Sequence, residues 1–121
     1  MFKHDVLVLD PAGNEVATIG CWVDTASSYT WLPDEIRVAL GVQPSEEREF
    51  VLADGRRERR PVAQVRIALN GRPFYTYCAF AREGEEYLLG AIALEEAGLA
   101  ADMVRQRLIP STSYALTRID A

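Results

Sequence analysis

The chain has 121 residues, 49% of them hydrophobic and 26% charged, with a formal net charge of -5 and a pI near 4.9. That length fits one domain spanning 1–121 with a real core, and the proportions are those of an ordinary globular protein. The acidic balance argues against a nucleic-acid binder, and no apolar run approaches the roughly 20 residues that a membrane-spanning helix needs.

The N-terminal "MFKHDVLVLD" carries charges inside a short apolar stretch and has no small-residue cleavage pattern, so it does not read as a signal peptide. Its Val and Leu residues predict a strand over 2–9, and "DPAGN" (10–14) supplies turn chemistry. On the return, Ala17, Ile19, Cys21 and Val23 alternate onto one face of a second strand. Gly20 interrupts that strand and marks a bulge or a close backbone contact. His4, the single histidine, sits in the first strand as a half-exposed residue. One histidine rules out multi-histidine zinc sites within one chain, and its position is far from any nucleophile-elbow pattern. Cys21 and Cys78 each lie in an apolar strand-like segment, which predicts buried free thiols and a reducing, cytoplasmic setting; a disulfide remains an open alternative.

Next comes "VDTASSYTWLP" (23–33), where a carboxylate follows an apolar strand end. Taken alone, Asp24 and Thr25 fit a turn cap, since Asp, Thr and Ser are preferred there. "PDEIRVALGV" predicts a short helix: Pro33 suits the first turn, Asp34 and Glu35 suit its positive end, and Gly41 stops it.

From residue 48 the pattern returns to strands, with turn signals at Asp54-Gly55 and Asn70-Gly71. Val65, Ile67 and Leu69 alternate with Arg66 and Ala68, and Phe74, Tyr75 and 77–80 continue the sheet. The "RRERR" run (56–60) reads as a solvated hairpin tip, "REGEE" (82–86) as an exposed turn, and Trp22 and Trp31 as core. "YLLGAIALEEAGL" passes from an apolar strand through Gly90 into a short amphipathic helix that stops near Gly98, and two short strands are expected at 107–110 and 114–119. The sum is a mostly-β fold of several hairpins with two short helices, closed or nearly closed as a small β-barrel.

Two segments share one pattern, an apolar strand, a tight turn and a short helix: "CWVDTASSYTWLPDEI" and "YLLGAIALEEAGL". This resembles the retropepsin-like aspartic proteases, the dimeric viral type and its bacterial relatives. Val23-Asp24-Thr25-Ala26-Ser27 is similar to the apolar-Asp-Thr/Ser-Gly-Ala/Ser motif of that family. Leu88-Leu89-Gly90 is similar to its second apolar-apolar-Gly motif. "LADGRR" and "GLAADMVRQRLIP" are similar to bacterial members, so the resemblance covers about residues 16–110.

The resemblance implies a closed β-barrel of the retropepsin type, active as a homodimer on a polypeptide substrate, with no metal or organic cofactor. One carboxylate takes a proton from water while another donates one to the carbonyl oxygen. Two carboxyl groups about a hydrogen bond apart share a proton and split those roles. The chain has one such motif, so the second carboxylate would be Asp24 of a second copy, met across a two-fold axis. Thr25 would support the loop across the interface, and Ser27 would hydrogen-bond the Asp24 carboxylate. A hairpin over about 48–65, with Ala53, Asp54 and Gly55 at its tip, would be the flap closing over substrate. Two departures from the family stand out. Ala91 follows the second glycine where viral members often have Arg, as bacterial relatives also commonly lack it. Ala26 replaces the usual glycine, and an alanine forced to positive φ would cost about 1 kcal/mol. The expected activity is therefore an aspartic endopeptidase; the alternative is a catalytically inactive dimeric module binding extended peptides, with a plain dimerisation domain third.

Overall fold

The computed structural model describes residues 1–118. The first apolar run forms β1 (Lys3–Leu9) and returns as β2 (Glu15–Val23) in antiparallel register, Val6 opposite Ile19. Asp10 ties the connecting turn, its Oδ1 accepting the Asn14 amide at 2.8 Å. The register shift lies between Val8 and Leu9, not at Gly20, where an added Cβ would meet only the Asp5 and Lys3 side chains at ordinary distance.

A turn over 24–29 leads to β3 (Thr30–Pro33) and α1 (Asp34–Leu40). Pro33 ends the strand and stands at the helix N-cap, Arg37 pairs with Asp34 at 2.8 Å, and Gly41 closes the helix at φ 62. A long hairpin follows, β4 (Glu46–Val51) against β5 (Arg57–Leu69). Asn70 (φ 51) and Gly71 (φ 80) then turn the chain into β6 (Arg72–Ala81), the two positive φ values that a two-residue hairpin turn of right-handed twist requires. The last elements are β7 (Leu88–Leu89), α2 (Ala91–Ala97) and a separate two-stranded sheet of β8 (Leu99–Asp102) and β9 (Arg107–Pro110). Residues 111–118 form no strand: Tyr114 and Leu116 are exposed there, with no neighbouring strand on which to bury an apolar face. Residue 119 of the expected final strand lies outside the described residues.

The main sheet runs β1-β2-β7-β3-β6-β5-β4, and β1 also pairs with β5 through Leu7 opposite Ala68 and Val8 opposite Ile67. That pairing joins six strands into a ring and leaves β4 outside it. The fold is mostly β, with two short helices, as the sequence predicts. Inside the ring Val6, Val8, Cys21, Val23, Leu32, Val65, Ile67, Phe80 and Leu89 form the main core, and α1 and α2 add Ile36, Ala93 and Leu94. Ala68, expected to face outward with Arg66, is buried; β5 is paired on both edges there and the side chain is short enough to be covered.

A second, smaller cluster of Trp31, Val62, Ala79 and Ala81 sits under the β4–β5 hairpin, packed against Tyr29, Phe50, Tyr77 and Leu88. Trp31 is thus core, whereas Trp22 is half-buried at the surface beneath the Lys3 ammonium, 5.0 Å from its ring. Both cysteines are buried and unpaired. Burial pushes the Cys21 thiol up to about 12, and that of Cys78 higher still. No helix among the described residues is long and apolar enough to cross a membrane.

Candidate active site

β2 and β7 run parallel, Trp22 beside Leu88 and Val23 beside Leu89, and at the end of that pairing the Asp24 amide donates to the Leu89 carbonyl at 3.0 Å. The chain then turns: the Ser27 amide donates to the Asp24 carbonyl (3.2 Å) and the Ala26 amide to Asp24 Oδ1 (3.0 Å). The cap reading of Asp24 is therefore correct as far as it goes. Its Oδ1 organises the turn, and its Oδ2 makes no hydrogen bond among the described residues.

The loop is braced from below by the second motif. Gly90 comes so close to the loop that a Cβ there would overlap the Tyr29 carbonyl and lie 2.9 Å from that of Ser27. Its φ is -92, so glycine is required here by space and not by backbone conformation. The Gly90 amide donates to Thr30 Oγ1 at 3.1 Å, the Ala91 amide to the Ser27 carbonyl at 2.8 Å and the Ile92 amide to the Ser28 carbonyl at 3.1 Å. The first amides of a helix lack intrahelical partners. In α2 the Asp24 loop supplies them, which locks loop and helix to each other. Val23, Asp24, Leu88, Leu89 and Gly90 are thus brought together as their paired patterns imply.

Three local expectations need correction. Ser27 does not bond the Asp24 carboxylate; its hydroxyl donates to the Tyr29 carbonyl at 2.8 Å, and the Ala26 amide donates to the carboxylate instead. The backbone of Ala26 lies outside the left-handed region, so the alanine carries no positive-φ strain. The Arg56–Arg60 run is not uniformly solvated: Arg60 is only 1% exposed.

Asp24, Ala26 and Ser27 open onto a cleft of about 890 Å³. One side is the β4–β5 hairpin, from Arg48 and Phe50 to Leu52, Ala53 and Asp54; the other comprises Trp31, Glu85, Glu86 and Leu88. Thr25, beside the cleft, is exposed. At the hairpin tip Gly55 takes φ 86, the Leu52 amide donates to the Arg56 carbonyl (2.8 Å), and Asp54 accepts from the Arg56 amide at 3.0 Å. Those contacts hold the Asp54 carboxyl below its usual range, the amide first and the guanidinium second. Aromatic rings line the hairpin base: Trp31 meets Phe50 edge-on at 5.0 Å, Tyr29 meets Phe50 at 5.7 Å, and the Arg48 guanidinium lies 5.7 Å from the Tyr29 ring.

Reading by motif missed Thr30, Glu85 and Arg60. Strand alternation carried a signal for Arg60, which shares a face with the buried Val62 two residues on. No comparable signal marks Glu85 inside a polar turn.

No protein-family model matches the chain, and no curated protein matches it in sequence. Solved structures similar in fold include the following three. The protease of simian foamy virus (mac) is 12% identical with a TM-score of 0.56, over 78% of this chain and 93% of its own. The retroviral protease-like domain of Ddi1 from Leishmania major is 14% identical with a TM-score of 0.59, over 91% of this chain and 87% of its own. A retropepsin-like aspartic protease from Rickettsia conorii is 16% identical with a TM-score of 0.50, over 84% of this chain and 89% of its own. At these identities the likeness is one of fold, and the fold of this chain is that of the retropepsin-like proteases.

Proposed function

We propose that the protein is an aspartic endopeptidase that acts as a homodimer, with one Asp24 carboxyl from each subunit. The observation that carries this reading is the Asp24 loop itself. A carboxylate with one oxygen held by the Ala26 amide and the other unbonded among the described residues stands on a loop locked to the Leu89-Gly90 segment, facing a cleft of about 890 Å³. Across a two-fold axis two such carboxyls share one proton. The ionised one removes a proton from a bound water as its oxygen attacks the scissile carbonyl carbon, while the protonated one gives its proton to the carbonyl oxygen. In the second step the tetrahedral diol collapses, the C–N bond breaks, and the amine leaves with a proton returned from the dyad.

In this reading the β4–β5 hairpin is the flap, with Ala53, Asp54 and Gly55 at its tip, pairing strand-like with substrate and excluding water. Thr25 supports the loop of the opposing subunit. Chain 1–121 works as one domain, and its two buried free thiols suit a reducing cytoplasm.

The test is cleavage of a peptide library over a pH series, with Asp24→Asn as the control. Cleavage in the wild type alone, with a bell-shaped pH dependence, supports the reading. Wild type and Asp24→Asn binding peptides equally, with neither cleaving, replaces the enzyme by a peptide-holding dimer.

A further inference from the structure

Among the described residues Arg60 is the largest fully buried side chain, and it carries a charge. Its guanidinium forks onto Glu85, Nη1 to Oε1 at 3.0 Å and Nη2 to Oε2 at 2.6 Å. Nη1 also donates to the Phe80 carbonyl at 3.3 Å, Nε donates to Glu58 Oε1 at 3.3 Å, and the group lies 5.4 Å from the Trp31 ring centre. A charge is expensive to bury unless it is fully paired, and here pairing and stacking together satisfy it. The geometry joins three pieces of chain: β5, the return arm of the hairpin; the turn 82–87, where Glu85 Oε1 also accepts the Arg82 amide at 2.8 Å; and the Trp31 ring on β3. Trp31 and the Glu85 turn are both cleft walls, and the turn runs directly into Leu88 and Leu89.

We infer that Arg60 is a positioning residue for the cleft: by clamping Glu85 and stacking on Trp31 it holds the 82–87 turn and the hairpin arm as one wall, and so sets how tightly an extended peptide is gripped. The inference rests on the proposed peptidase function, and a bidentate fork is needed for it. A lysine at 60 keeps the charge but has no planar two-nitrogen fork, so it cannot make the paired parallel bonds to Glu85 and loses the stacking plane. A wall set by this pair affects binding of the ground state and transition state alike, so its loss raises KM more than it lowers kcat.

The experiment compares wild type, Arg60→Lys and Glu85→Gln in two measurements. One is hydrogen exchange of the backbone amides of 82–89; the other is steady-state kinetics on the best-cleaved peptide of the library. Both variants should exchange faster at 82–89 with the amides of β1 unchanged, and KM should rise about tenfold or more while kcat changes little. Asp24→Asn should leave the exchange at 82–89 as in the wild type. Unchanged exchange in the two variants, or a fall in kcat at constant KM, overturns the clamp. If the wild type cleaves no peptide, the peptidase reading fails by itself, and the exchange data still decide whether Arg60 holds the wall.

Discussion

At Asp24 the Ala26 amide engages Oδ1, so a backbone bond sets the orientation of the carboxylate, and in the proposed reaction Oδ2 is the oxygen left to meet water and the second carboxyl. Asp24→Asn keeps an acceptor for that amide. It should therefore cost less than about 0.5 kcal/mol of stability while cleavage falls by about 10²–10⁴-fold or more, which urea titration and peptide assay measure side by side. Ala26 takes a backbone that alanine adopts freely, so Ala26→Gly gains nothing by relief of strain. It should destabilise by about 0.4–1 kcal/mol, through the greater freedom of the unfolded chain, and leave kcat/KM about the same. Glu85 gives a pH signature. The Arg60 guanidinium holds its carboxyl below the ordinary 4.5, against a smaller opposing push from burial. A group lowered in the folded state stabilises fully above its unfolded pKa, and that contribution is lost as pH falls through the folded value. Stability should therefore drop below about pH 4.5, and Glu85→Gln, already weaker at neutral pH, should show a flatter acid limb in denaturant titrations from pH 3 to 7.

Among the elements, α2 shows how tightly the two motifs depend on each other. Its opening amides are satisfied by carbonyls of the Asp24 loop, and its N-cap glycine admits no side chain. Gly90→Ala forces a methyl group into the Tyr29 carbonyl, which is backbone and cannot swing aside. It should destabilise by about 1–3 kcal/mol, seen as a lower urea midpoint, and should disorder the Asp24 loop with it. This pairing was legible in the sequence because Val23-Asp24-Thr25 and Leu88-Leu89-Gly90 repeat one local pattern. The hairpins at 10–14 and 70–71 were legible because turn residues have local causes. What escaped was non-local: that β1 would pair with β5 and bury Ala68, and that an inward-facing Arg60 would find Glu85. Neither partner is set by neighbours in the chain. Each depends on which distant strand arrives alongside.

For the whole molecule, the stoichiometry of the chemistry is decisive: each chain brings one Asp24, and the proposed reaction needs two. Sedimentation over a concentration series should show a dimer, and specific activity should fall on dilution through its dissociation range. A strict monomer with undiminished specific activity would rule out the shared dyad. Each chain's half of that site also depends on closure of the six-stranded ring. The bond from the Asp24 amide reaches Leu89, and the brace reaches Ile92, so the bonds inside the loop are completed only when those later residues arrive. During synthesis at about 5–20 residues per second, Asp24 leaves the ribosome roughly 3–13 seconds before Gly90 does. Through that interval the nascent chain has the carboxylate but no framework for it, so the proposed chemistry must wait for the Leu88–Ile92 segment to be made.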